Sequence, residues 1–210
     1  MLDAVLRPFI DPPLDRLARA IDRPALTPNT VTFIGLFLGL IAIPALWLGL
    51  NEIAIIFILL NRLCDGLDGA VARMRLARGE KLPLHGGFLD ICADFIFYGA
   101  IPLGFALQNP ESNAVGAAFL LAAFMATGVS FVAFSTLANQ LGLTTDLRGK
   151  KSFYYLGGLA EGTETIFVFV LACIAPSWFP WIALIYGIIC WVTVIVRFFE
   201  VREKVKDLDH

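Results

Sequence analysis

Charged residues are scarce in this chain of 210 amino acids: 16% are Asp, Glu, Lys or Arg, against about a quarter in a soluble domain. That shortage, with 58% hydrophobic residues, excludes an ordinary soluble globule. Runs of about 20 apolar residues recur, which points to an integral membrane protein. Excess positive charge is also missing. A formal net charge of −2 gives no electrostatic ground for nucleic-acid binding. Cysteine is sparse and unpatterned: Cys64, Cys92, Cys173 and Cys190 all fall in apolar segments without a CxxC spacing, so they read as small core residues. No segment repeats at a fixed period, and one membrane domain accounts for the chain. The first 29 residues carry charges throughout and no apolar centre, unlike a cleavable signal peptide.

Residues 1–28 read as a cytoplasmic interfacial segment. Leu2, Val5, Leu6, Phe9 and Ile10 form one apolar face, and Leu14, Leu17, Ala18 and Ile21 another. Pro12-Pro13 is expected to break the two apart. With Arg7, Arg16, Arg19 and Arg23 flanking them, these faces suit an amphipathic helix in the headgroup layer. Six spans are expected near 30–50, 52–76, 86–107, 113–139, 153–175 and 179–201. The fold class is therefore an all-α membrane protein: six transmembrane helices over 29–201, the N-terminal interfacial helix, and a cytoplasmic tail at 202–210. All 16 Lys and Arg lie on one side of this layout or within a turn or two of it, Arg62 being the deepest. The positive-inside rule then places both termini and both long loops in the cytoplasm. Trp47, Trp178, Phe179 and Trp181 fall at the opposite interface, as an aromatic belt would.

Against this apolar background stand four aspartates. Asp65 and Asp68 are three apart and share a helix face; Asp90 and Asp94 are four apart and share a face of the next helix. At about 1.5 Å per residue, both pairs lie roughly 5–15 Å below the cytoplasmic ends of consecutive antiparallel helices, so they can meet at one depth. An ionised carboxylate at the bilayer centre costs roughly 2.5–3.5 kcal/mol on insertion scales. Arg62 and Arg73 are too few to neutralise four carboxylates. An all-oxygen site for two divalent cations, Mg²⁺ or Mn²⁺, is the better reading. A proton or cation pathway in a transporter is a rival of a different class. It would be expected to show paired repeats and exposure to both faces.

The pattern Asp65-x2-Asp68-Gly69-x2-Ala72-Arg73 … Gly86-x3-Asp90-x3-Asp94 resembles the signature of the CDP-alcohol phosphatidyltransferases, with eight fixed positions over 30 residues. Leu26-Thr27-Pro28-Asn29-Thr30-Val31-Thr32, opening the first span, is also typical of that family. In its layout, and in Lys151–Tyr155 and Glu161–Thr165, the chain is similar to a bacterial inner-membrane branch whose acceptor alcohol is unassigned. The resemblance implies that Asp65, Asp68 and Asp90 hold two divalent metals, with Asp94 completing the second and acting as general base. It implies that Asn29, Thr32, Gly69, Ala72 and Arg73 contact the CDP moiety. The reaction implied is transfer of a phosphatidyl group from a CDP-linked lipid, CDP-diacylglycerol, to a small polar alcohol with release of CMP. The reverse arrangement, a soluble CDP-alcohol with diacylglycerol as acceptor, would use the same metals. Family members are commonly homodimers. The stretch Met74–His85 is longer than the family's usual gap, and its extra residues fall in Leu76–Pro83, which is expected to form a polar loop with Gly79 and Pro83.

Outside the signature, Glu161 and Glu164 lie three apart on the expected fifth span. They could bind an amine on the acceptor, pair with Arg62, or brace the bundle. Arg148, Lys150 and Lys151 could receive a phosphorylated acceptor or simply follow the positive-inside bias. Arg62, one turn before Asp65, is expected to touch the site or Glu161 and Glu164. His85 reads as a solvated loop residue. Gly35 and Gly39 form a small-xxx-small pair that predicts close packing of the first span.

Overall fold

The computed structural model describes residues 2–24, 26–83, 85–140 and 160–206. Among these residues the chain is helical and contains no strand. The elements are α1 (Leu2–Ile21), α2 (Pro28–Trp47), α3 (Asn51–Ala77), α4 (Gly86–Gln108), α5 (Pro110–Gln140), α6 (Gly162–Ile174), a 3₁₀ turn (Pro176–Trp178) and α7 (Phe179–Lys206). Four segments are long and apolar enough to cross a membrane: Pro28–Trp47, Gly86–Gln108, Pro110–Ala138 and Pro176–Arg202. The other two expected spans differ for separate reasons. Helix α3 has the length, about 40 Å, but carries Arg62, Asp65, Asp68, Arg73 and Arg75 along it. Helix α6 has only 13 described residues, and 153–159 of the expected span lie outside the described residues.

Glycines set how closely the bundle packs. A Cβ on Gly35 would stand 2.7 Å from Cβ of Cys64, and one on Gly39 would stand 2.6 Å from Cδ2 of Phe97. The small-residue stripe on α2 therefore lets it press onto α3 and α4 together. Asn61, buried on α3, closes that contact by donating from Nδ2 to the Gly35 carbonyl at 3.0 Å. The rings of Phe97, Tyr98, Phe124, Phe169 and Tyr186 form a core of edge-on and tilted aromatic contacts joining α4, α5, α6 and α7. On the far side of the bundle α5 packs along α7, where buried Arg197 donates to the Thr127 carbonyl at 2.9 Å and to Ser130 Oγ at 3.2 Å.

Two local expectations need correction. Helix α1 runs unbroken through Pro12-Pro13. Each proline forfeits a helix N–H, but Leu14 and Ala18 pack with Val31, Leu67, Ala70 and Val71, and this burial holds the helix against α3. Phe9, Ile10 and Leu17 remain exposed. Phe179 is buried and stacks on Phe105 with centroids 4.3 Å apart, so it belongs to the core. Trp47, Trp178 and Trp181 are exposed as expected of belt residues. Helix α3 ends at Ala77, within a residue of the expected boundary, and Gly79 just beyond it takes a φ of 80° that suits glycine. Arg75 anchors this end of the helix: Nη2 donates to the carbonyls of Arg23 at 3.0 Å and Leu26 at 3.2 Å. The same arginine lies 3.7 Å from Asp22 and thereby fixes the linker leading into α2.

Candidate metal and nucleotide site

The i, i+3 pair on α3 and the i, i+4 pair on α4 converge. Carboxylate oxygens of Asp65, Asp68 and Asp90 all lie within 4.8 Å of one another. The four aspartates line one cleft with Thr32, Gly35 and Asn61. Glycine at position 35 gives α2 the close approach to α3 that walls this cleft. Asp94 lies one helical turn beyond Asp90, about 6 Å along α4.

Carboxylates this close repel one another, and the cluster is partly compensated by the protein. Arg62 pairs with Asp65. Thr32 Oγ1 donates to Asp68 Oδ2 at 2.5 Å, and the Pro28 carbonyl lies 3.1 Å from the same hydroxyl. The hydroxyl has one proton, and the shorter, charged acceptor holds it. A set of three converging carboxylates fits a hard, oxygen-seeking divalent cation, and the Thr32 hydroxyl is placed to orient one ligand from behind. Thr32, expected as a nucleotide contact, also supports Asp68 through this hydrogen bond. Thr32→Val is therefore predicted to weaken Mn²⁺ affinity about 10- to 100-fold, as loss of a ligand's hydrogen-bond partner does elsewhere. Titration of Mn²⁺ by electron paramagnetic resonance checks this, and an unchanged affinity would contradict it.

The remaining signature residues fall beside this cluster. Thr27 caps α2 by accepting from the Thr30 N–H at 3.2 Å, which sets the direction of the helix carrying Asn29 and Thr32. Asn29 Nδ2 lies 3.0 Å from His85 Nε2, and a Cβ on Gly86 would stand 3.3 Å from Asn29 Oδ1. His85 is exposed, as expected of a solvated loop residue, and this contact joins the start of α4 to the start of α2. A Cβ on Gly69 would stand 3.3 Å from Arg73 Nη1, so the Arg73 guanidinium lies across Gly69. Arg73 is half exposed and ion-paired to Asp15 at 3.6 Å and Asp11 at 3.9 Å, two partners the sequence reading did not find. Ala72 is partly buried on the same turn.

Glu161 and Glu164 were expected within a span. Glu161 instead occupies the residue before α6, and Glu164 lies in its first turn. Both sit where the helix dipole favours negative charge. Arg62 reaches this region as well as Asp65, since a Cβ on Gly162 would stand 3.3 Å from Nη1 and Nη2 of Arg62. Tyr98 Oη would lie 3.4 Å from the same point. Arg148 and Lys151 lie outside the described residues.

Comparison with known proteins agrees with this geometry. Residues 25–199 match the family model for CDP-alcohol phosphatidyltransferase. The chain is 49% identical over 197 residues to inner membrane protein YnjF of Escherichia coli K12, covering 94% of this chain and 93% of that one. It is 28% identical over 201 residues to an archaetidylinositol phosphate synthase of Pyrococcus horikoshii, covering 96% and 97%. The crystal structure of Mycobacterium tuberculosis phosphatidylinositol phosphate synthase (PgsA1) with CDP-DAG bound shares the fold. Its TM-score is 0.68 at 20% identity, over 89% of this chain and 92% of that one.

Proposed function

This chain belongs to the CDP-alcohol phosphatidyltransferase family, and from that premise we propose that it is a phospholipid synthase of a bacterial inner membrane. It moves a phosphatidyl group from CDP-diacylglycerol to a small polar alcohol and releases CMP. The observation that carries this reading is the meeting of Asp65, Asp68 and Asp90 within 4.8 Å in a chain otherwise built of apolar helices. The site works at the cytoplasmic side of a six-span bundle with both termini in the cytoplasm.

Asp65, Asp68, Asp90 and Asp94 fit two divalent cations, Mg²⁺ or Mn²⁺, which when bound neutralise charge on a diphosphate. The chain's own residues do the rest. Asn29, Thr32, Gly69, Ala72 and Arg73 receive the cytidine diphosphate, Gly69 and Ala72 by being small and Arg73 by its cationic fork. Arg62, Glu161 and Glu164 line the acceptor pocket, and a phosphorylated acceptor would also call on the charges of Arg148 and Lys151, which lie outside the described residues. Asp94 takes the proton of the acceptor hydroxyl as its oxygen attacks the phosphorus bonded to diacylglycerol. The bond from that phosphorus to the CMP oxygen breaks, and CMP leaves with the electron pair. Chemistry of this kind is mostly positioning and electrostatics.

The test is product analysis by mass spectrometry. Purified protein with CDP-diacylglycerol and Mg²⁺ is offered inositol phosphate, glycerol phosphate, serine, inositol and choline in turn. Inositol phosphate heads the panel because the archaeal relative and the mycobacterial neighbour are both named for products of that class. One acceptor is expected to yield a new phospholipid in step with CMP. Product formed only from diacylglycerol and a CDP-alcohol would reverse the donor assignment.

A further inference from the structure

We infer that Asp11 and Asp15 are positioning residues which hold the Arg73 guanidinium toward the donor's diphosphate from the N-terminal helix. The inference rests on the donor contact proposed above for Arg73. Asp11 and Asp15 are four apart on α1 and so share a face. Pro12 and Pro13 lie between them and fix φ there, which stiffens the segment presenting both carboxylates.

Helix α1 is seated against α3 by a specific contact: a Cβ on Gly66 would stand 2.8 Å from Cδ1 of Leu14. Glycine within the Asp65–Asp68 turn therefore leaves the space that Leu14 fills. Two turns further along α3, the same seating brings Asp15 to 3.6 Å and Asp11 to 3.9 Å from Arg73 Nη2. Nη1 of that guanidinium is the atom lying over Gly69. One nitrogen thus faces the carboxylates of α1 while the other faces the signature turn. Both ion-pair distances exceed hydrogen-bonding range, so the aspartates steer the guanidinium and leave its N–H donors available to a phosphate. In this arrangement α1 is part of the donor site although none of its residues belongs to the signature.

Binding of CDP-diacylglycerol with Mg²⁺ to the full chain in lipid nanodiscs tests the inference. Native protein is compared with R73A, D11N/D15N, D11N/D15E and the triple variant D11N/D15N/R73A. R73A is expected to weaken binding at least about tenfold, as loss of a charged contact does. D11N/D15N is expected to weaken it about three- to tenfold, a modest effect because both ion pairs are half exposed. D11N/D15E should recover most of that loss. In the R73A background D11N/D15N should have no further effect, since the aspartates act through Arg73. Unchanged or tighter binding by D11N/D15N, with R73A weakened, would overturn the positioning role alone. An equal loss in the R73A background would make the aspartates structural and overturn it too. Native-like binding by R73A would refute the donor contact itself, and the inference would fall with it.

Discussion

Asp94→Asn lowers CMP release by about 10³-fold, the middle to upper part of the range for loss of a general base. Helix insertion and donor binding persist. The argument starts from position. Asp94 lines the same cleft as Asp65, Asp68 and Asp90, yet it lies a turn beyond Asp90 and outside the trio of mutually close oxygens. A carboxylate whose oxygens are committed to cations is a weak base. The one set back from the cluster has a lone pair for the acceptor proton. Asparagine keeps the shape and one oxygen that can still face a cation, and it removes that basicity. Rapid-quench single-turnover measurement separates the step from binding, and turnover within about tenfold of native would contradict the base assignment.

Asp68→Asn has effects of opposite sign on activity and stability. Asp68 is 6% exposed and takes the Thr32 hydroxyl. Without its charge the cluster is expected to lose divalent cation affinity by more than about 100-fold, beyond the usual cost of removing a supporting hydrogen bond. Metal-dependent CMP release is lost with it. The same substitution removes one of three carboxylates crowded within 4.8 Å, and with it part of their mutual repulsion when no metal is bound. Metal-free D68N should therefore melt at or above the temperature of the metal-free native protein. Circular dichroism melts in detergent with EDTA check the stability, and Mn²⁺ titration checks the affinity. A lower melting temperature, or retained affinity, would contradict this account of Asp68.

Much of the site was legible because helix spacing alone brings Asp65 beside Asp68 and Asp90 beside Asp94. The small-residue stripe at Gly35 and Gly39 likewise announced the close contact of α2. What sequence could not announce depends on tertiary contact. The bond of Thr32 to Asp68, 36 positions along the chain and 2.5 Å away, leaves no sign in the sequence. Asp11 and Asp15 look like the polar face of an interfacial helix until Leu14 seats α1 over Gly66. Pro12-Pro13 carries a true local preference against helix, overridden by burial of Leu14 and Ala18. Phe179 has belt-like neighbours in sequence but a ring partner, Phe105, on another helix. Buried Asn61 and Arg197 gave no motif signal. Each is explained by a backbone carbonyl it reaches on a neighbouring helix.

The most direct measurement is CMP release from CDP-diacylglycerol by purified native protein, with the acceptor panel present, before and after EDTA and again after Mg²⁺ is restored. The account predicts release that stops with chelation, returns with Mg²⁺ and is absent in D68N throughout. Release that continues undiminished in EDTA, or in D68N, would contradict the claim that these intramembrane aspartates form a metal-dependent phosphatidyltransferase centre.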